Sequence, residues 1–113
     1  MATEPRLASG IWVAAYLRRL ELAAIPAFVT AKGDATAGAV LVKCATLDGQ
    51  ARAWHRSFDL NSGARAWVVL AEGDEASVDA SIRRQRGFDP DLWVIEIEDR
   101  HGRSLLDQDG LSG

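Results

Sequence analysis

A chain of 113 residues, 48% hydrophobic and 26% charged, is long enough for one domain with its own core and too short for two comfortable ones. Its net charge of −3 gives no overall positive field to draw the protein onto nucleic acid or anionic lipid. A single cysteine, Cys44, rules out an intramolecular disulfide, and the sequence offers no Cys/His cluster for structural zinc.

The longest apolar stretch, Ile11 to Leu17, falls far short of the roughly 20 residues a membrane helix needs. Met1 to Arg6 leads into no apolar secretory core, so the cytoplasm is the expected compartment and no membrane partner is expected.

The first element predicted is a helix from Ser9 to Ala24, with Val13, Leu17, Leu20 and Ala24 on one stripe, Ser9 as its N-cap and Pro26 beyond its end. Strands follow over Ala27–Lys32, Ala39–Leu47, Gln50–Phe58 and Ala64–Ala71, separated by Gly33-Asp34, Asp48-Gly49 and Asn61-Ser62-Gly63. Asp74 is placed to cap a second helix, in which Val78 and Ile82 form an i, i+4 apolar pair and Arg83, Arg84 and Arg86 complement the negative helix end. Leu92 to Glu98 reads as a fifth strand, and Arg103–Leu106 as a short returning segment.

The order α-β-β-β-β-α-β predicts the α+β class, a mainly antiparallel, meander-like sheet of about five strands with two helices packed on it. The expected organisation is one domain over residues 1–106 and a flexible C-terminal tail over 107–113.

A two-residue Asp48-Gly49 turn would pair Leu47 with Gln50, Ala45 with Arg52, Lys43 with Trp54 and Leu41 with Arg56. On that register Val40, Val42 and Cys44 face the core. Lys43, Arg52, Trp54 and Arg56 then share the opposite, wetter face. Cations beside an aromatic can hold an anion or a protein partner. Arg stems lying over Trp54 on an ordinary solvated sheet face give the simpler reading.

Other groups invite chemistry and have plainer explanations. His55 and Cys44 fall on one predicted face, as a nucleophile and base would, yet Cys44 sits among apolar neighbours that suppress its thiolate. Glu96, Glu98 and Asp99 could bind a divalent metal or serve as acid–base groups, and are more simply charges protecting an outer strand. Gly33-Asp34-Ala35-Thr36-Ala37-Gly38 lacks the Gly-Lys-Ser/Thr ending of a phosphate loop and precedes a strand rather than a helix.

Three stretches, Gly10 to Arg19, Gly33 to Lys43 and Asp89 to Glu96, resemble the domain of unknown function 1491 family, found mainly in alphaproteobacteria. The resemblance spans nearly the whole chain and implies fold and lineage, with no activity, cofactor or catalytic residue to carry over. The expected function is a non-enzymatic binding or protein-interaction module without cofactor or metal, using a sheet edge or the Lys43/Arg52/Trp54/Arg56 face for a protein partner or self-association. The alternatives are a small enzyme or ligand-binding protein using His55 or the Glu96/Glu98/Asp99 carboxylates, and nucleic-acid binding, which the acidic balance disfavours.

Overall fold

The computed structural model describes residues 7–58 and 60–111. Its elements are α1 (Ser9–Leu22), β1 (Ala27–Ala31), β2 (Val40–Ala45), β3 (Gln50–Phe58), β4 (Arg65–Asp74), α2 (Glu75–Phe88) and β5 (Trp93–Glu98). The predicted α+β class and element order hold; the meander does not. The sheet order is β1-β5-β2-β3-β4, with β2 and β5 parallel and the other neighbours antiparallel.

The physical reason lies in α2. Fourteen helical residues carry the chain back across the sheet, a span no tight turn could provide, and deliver β5 between β1 and β2. A strand in that place is covered on both sides. Trp93, Ile95 and Ile97 face one side and Val94 the other, all buried. Glu96 and Glu98 are therefore on a central strand, not an outer one.

The two helices cover opposite faces. Trp12, Val13, Tyr16 and Leu20 of α1 pack with Val40, Val42, Cys44, Ile95 and Ile97. Val78 and Ile82 of α2 pack with Leu41, Ala51, Ala53 and Val94. All six residues of β2 are consequently buried.

Local chemistry sets the helix ends. Beyond α1, the amides of Ala24 and Ile25 donate to the carbonyls of Glu21 and Leu20, with Ala24 in the left-handed region at φ 59°. This double hydrogen bond closes the helix before Pro26 is reached. The start of α1 also differs from expectation. Ala8 is the N-cap, while the Ser9 hydroxyl donates to the Gly38 carbonyl at 2.6 Å. At α2 the Asp74 carboxylate accepts from the Ser77 amide at 3.0 Å, as predicted for an N-cap.

Residues 103–106 form no strand, and 107–111 pack on the domain rather than fraying from it. Leu111 is 2% exposed in the α1-side core, and Leu106 joins it there. Three side chains bond this strap: Tyr16 donates to the Ser104 carbonyl, Arg19 to Asp109 and Trp67 Nε1 to Leu111. Residues 112–113 lie outside the described residues.

Candidate functional site

The predicted cationic face does not form, because the hairpin turns over three residues. Thr46 donates its amide to the Gln50 carbonyl across Leu47-Asp48-Gly49. The Asp48 carboxylate accepts from the Thr46 hydroxyl at 2.6 Å and the Gln50 amide at 3.1 Å. Leu47 takes φ 64° and Gly49 φ 86° to close the loop. One added loop residue shifts the ladder, so Trp54 pairs with Val42 and Lys43 with Ala53.

Lys43 therefore lies on the α2 side of the sheet, away from Arg52, Trp54 and Arg56. Only 3% exposed, its Nζ is 2.7 Å from Asp79, 3.0 Å from Glu75 and 3.2 Å from Glu96. Burial by itself would lower its pKa. The hydrogen bonds from Asp79 and Glu75, with the charge and hydrogen bond of Glu96, outweigh that and hold the ammonium protonated above the usual lysine range. Lys43 fastens α2 to β2 and β5.

The other three residues stay on the α1 side with separate roles. Arg52 pairs with Glu72 at 2.8 Å. Trp54 packs partly buried against the core and lines a cleft that also includes Arg52, Arg100 and His101. Arg56 lies over the rings of Trp12 at 4.6 Å and Trp67 at 4.7 Å.

The remaining candidates are accounted for structurally. Cys44 is buried on the α1 side and His55 belongs to the opposite face, so they form no nucleophile–base pair. Burial, then the Asp99 charge, pushes the Cys44 thiol upward, disfavouring a thiolate. Asp99 accepts from the Arg103 backbone at 2.7 Å and from its guanidinium at 2.8 Å. The Arg103 hydrogen bond brings the Asp99 pKa down to about 2. Glu96 is committed to Lys43, and Glu98 is half-buried at the end of β5.

Gly33 and Gly38 serve close packing. A Cβ at either position would run into the Asp91 carbonyl, and at Gly33 also into Trp93. Their loop is stapled to the start of β5 by Asp34 N to Asp91 O at 3.0 Å and Trp93 Nε1 to Asp34 O at 2.8 Å.

Besides the Trp54 cleft and the outer edge of β1, where Phe28 and Val29 are exposed, two surfaces are open. The first is the outer edge of β4, which has no strand neighbour among the described residues. Ten residues long, β4 exposes Val68 and Val69, with Phe58 and Leu60 exposed on the adjoining hairpin. A bulge at Leu70 divides the edge about midway. The second is a cavity of about 450 Å³ at the end of the sheet where β2 begins at Val40 while β3 runs on to Phe58. Ser9, Trp12, His55, Arg56, Arg65 and Gln85 contribute to its walls. Trp12, Arg65 and Gln85 escape sequence reasoning, since nothing in local spacing announces that three distant elements end together.

A family model described as "Protein of unknown function (DUF1491)" matches residues 7–107. The crystal structure of a DUF1491 family protein from Caulobacter crescentus CB15 is similar, with 43% identity and a TM-score of 0.80 over 90% of this chain and 94% of that one. An NMR structure of a DUF1491 family protein from the same organism gives 43% identity and a TM-score of 0.81, covering 92% and 96%. The solution structure of protein Atu0922 from A. tumefaciens gives 31% identity and 0.71, covering 83% and 86%. No curated protein matches the chain.

Proposed function

The chain belongs to the DUF1491 family, a family of unknown function, and from that premise we propose that it is a non-enzymatic interaction module that pairs with a second copy of itself along β4. One observation carries this reading: a ten-residue edge strand whose outer side meets no further strand among the described residues, with apolar side chains exposed on it. Short or heavily charged edges resist such pairing, and the middle of β4, Ala66 to Ala71, holds no charge at all.

The ends of β4 favour a copy over a stranger. Arg65 stands at one end and Glu72 and Asp74 at the other. An antiparallel approach places the basic end of each strand beside the acidic end of the other, where Glu72 already pairs with Arg52, and brings the two Leu70 bulges together near the twofold axis. The expected cytoplasmic compartment accompanies this reading. No described helix is long and apolar enough to cross a membrane.

Sedimentation equilibrium tests the proposal. A chain of 12.2 kDa should report twice that mass, and Val69→Lys, which sets like charges near the axis, should return it to one chain with an unchanged circular dichroism spectrum. Val69 is 46% exposed, so the substitution leaves the core alone. A single-chain mass for the unaltered protein at every concentration rejects self-pairing.

A further inference from the structure

We infer that Asp109-Gly110, in the strap after β5, is a modification site where aspartate isomerises spontaneously, and that the fold steers this reaction away from Asp48-Gly49. These are the chain's two Asp-Gly pairs, in which glycine adds no side chain to obstruct attack by its amide on the preceding carboxyl. The Gly110 nitrogen bonds to the Asp109 side-chain carboxyl carbon and closes a succinimide ring. A carboxyl oxygen leaves as water, taking the acid proton and the amide proton. Water then adds back across a ring carbonyl. Opening the bond between the Gly110 nitrogen and the Asp109 main-chain carbonyl carbon leaves a backbone that runs through the Asp109 side chain, beside a free main-chain carboxylate. Nothing but water is released or consumed.

The two sites differ in what holds the carboxylate. That of Asp48 accepts from the Thr46 hydroxyl at 2.6 Å and the Gln50 amide at 3.1 Å. Those bonds, the Thr46 one first, hold its pKa below the usual aspartate range. An ionised carboxylate is a poor electrophile, and reaction at its carbon costs Asp48 both bonds. The Asp109 side chain is exposed, and its carboxylate accepts no hydrogen bond among the described residues.

Arg19 adds the decisive contact. Its guanidinium donates to the Asp109 main-chain carbonyl at 2.6 Å, and a Cβ on Gly110 would stand 3.0 Å from the same group. That carbonyl and the Gly110 nitrogen belong to one amide. A cation bonded to the oxygen therefore draws electrons from the nitrogen and makes its N–H easier to deprotonate. The Gly110 N–H donates to no acceptor among the described residues, so no bond need break before the nitrogen reacts. The product bears on the strap. One extra backbone carbon enters between Asp109 and Leu111, whose side chain fills the α1-side core and whose carbonyl accepts from Trp67. None of this depends on pairing along β4.

The test is ageing of the whole chain at neutral pH, folded and in urea, with isoaspartate located by peptide mapping and electron-transfer fragmentation. In the folded chain Asp109 should isomerise about tenfold faster than Asp48, and in urea the two rates should converge. Arg19→Gln should slow the folded-state reaction at Asp109 several-fold, and Arg19→Lys, which keeps the cation, should restore most of it. Asp109→Glu, which needs a larger ring, should abolish it. Isomerised chains should lose the native Trp67 indole signal in nitrogen–proton spectra. Equal rates at the two sites in the folded chain, the same ratio in urea, or no slowing in Arg19→Gln overturns the inference. An unmoved Trp67 signal in isomerised chains overturns the effect on the strap.

Discussion

Lys43 on β2 stands directly across the parallel ladder from Glu96 on β5, and its ammonium lies 3.2 Å from that carboxylate. The same nitrogen reaches Glu75 and Asp79 on α2, so one buried cation joins the two parallel strands to the helix that connects β4 to β5.

Removing the cation should be costly. Lys43→Met leaves three carboxylates around an apolar group, and the expected loss is about 2–4 kcal/mol, moderated because the carboxylates are partly solvated. Urea denaturation measures it; a loss under about 0.5 kcal/mol would make the cluster incidental. The pH dependence has a definite sign. The folded-state pKa of Lys43 is raised, so its contribution is complete below the unfolded value near 10.4 and declines as pH rises through the folded value. Burial, reinforced by Cys44, likewise raises the Tyr16 phenol, so there too the unfolded chain gives up its proton at lower pH than the folded one. Stability should therefore fall above about pH 10, less steeply in Lys43→Met and in Tyr16→Phe.

At the hairpin, Leu47 carries a branched, 55% exposed side chain at φ 64°. Asparagine tolerates that region better, and no core contact is at stake. Leu47→Asn should raise stability by about 0.5–1 kcal/mol, read as a higher urea midpoint at unchanged slope. A lower midpoint would mean that Leu47 contributes packing the loop geometry does not reveal.

Leu111 closes the α1-side core from a segment that reads as a loose tail. Leu111→Ala should cost about 2–3 kcal/mol, whereas Leu60→Ala, at an exposed hairpin tip, should stay within about 0.5 kcal/mol. Equal effects from the two would mean that the strap does not hold in solution.

Arg56 shows how the geometry reassigns a residue. By sequence it belongs to a free cationic patch. In the fold it lies on Trp12 and Trp67, so reversing its charge disturbs packing as well as surface and does not isolate a binding role. Arg52 and Trp54 are the two predicted binding residues that stay together in one cleft, in company with Arg100 and His101 rather than Lys43 and Arg56.

Local sequence by itself determined the elements and their class. Apolar spacing placed both helices, turn residues separated the strands, and the Asp74 carboxylate started α2 where an N-cap was expected. The Val40/Val42/Cys44 side was legible as core because its apolar residues recur at the strand period. Only the tertiary structure decided what those elements meet. A turn of three residues instead of two exchanged the faces of the hairpin, a difference set by the Asp48 carboxylate and a left-handed Leu47. The entry of β5 between β1 and β2 turned a presumed edge strand into a central one. Choosing among partners more than fifty residues apart depends on which arrangement buries both faces of β2 and β5, and no local propensity contains that comparison.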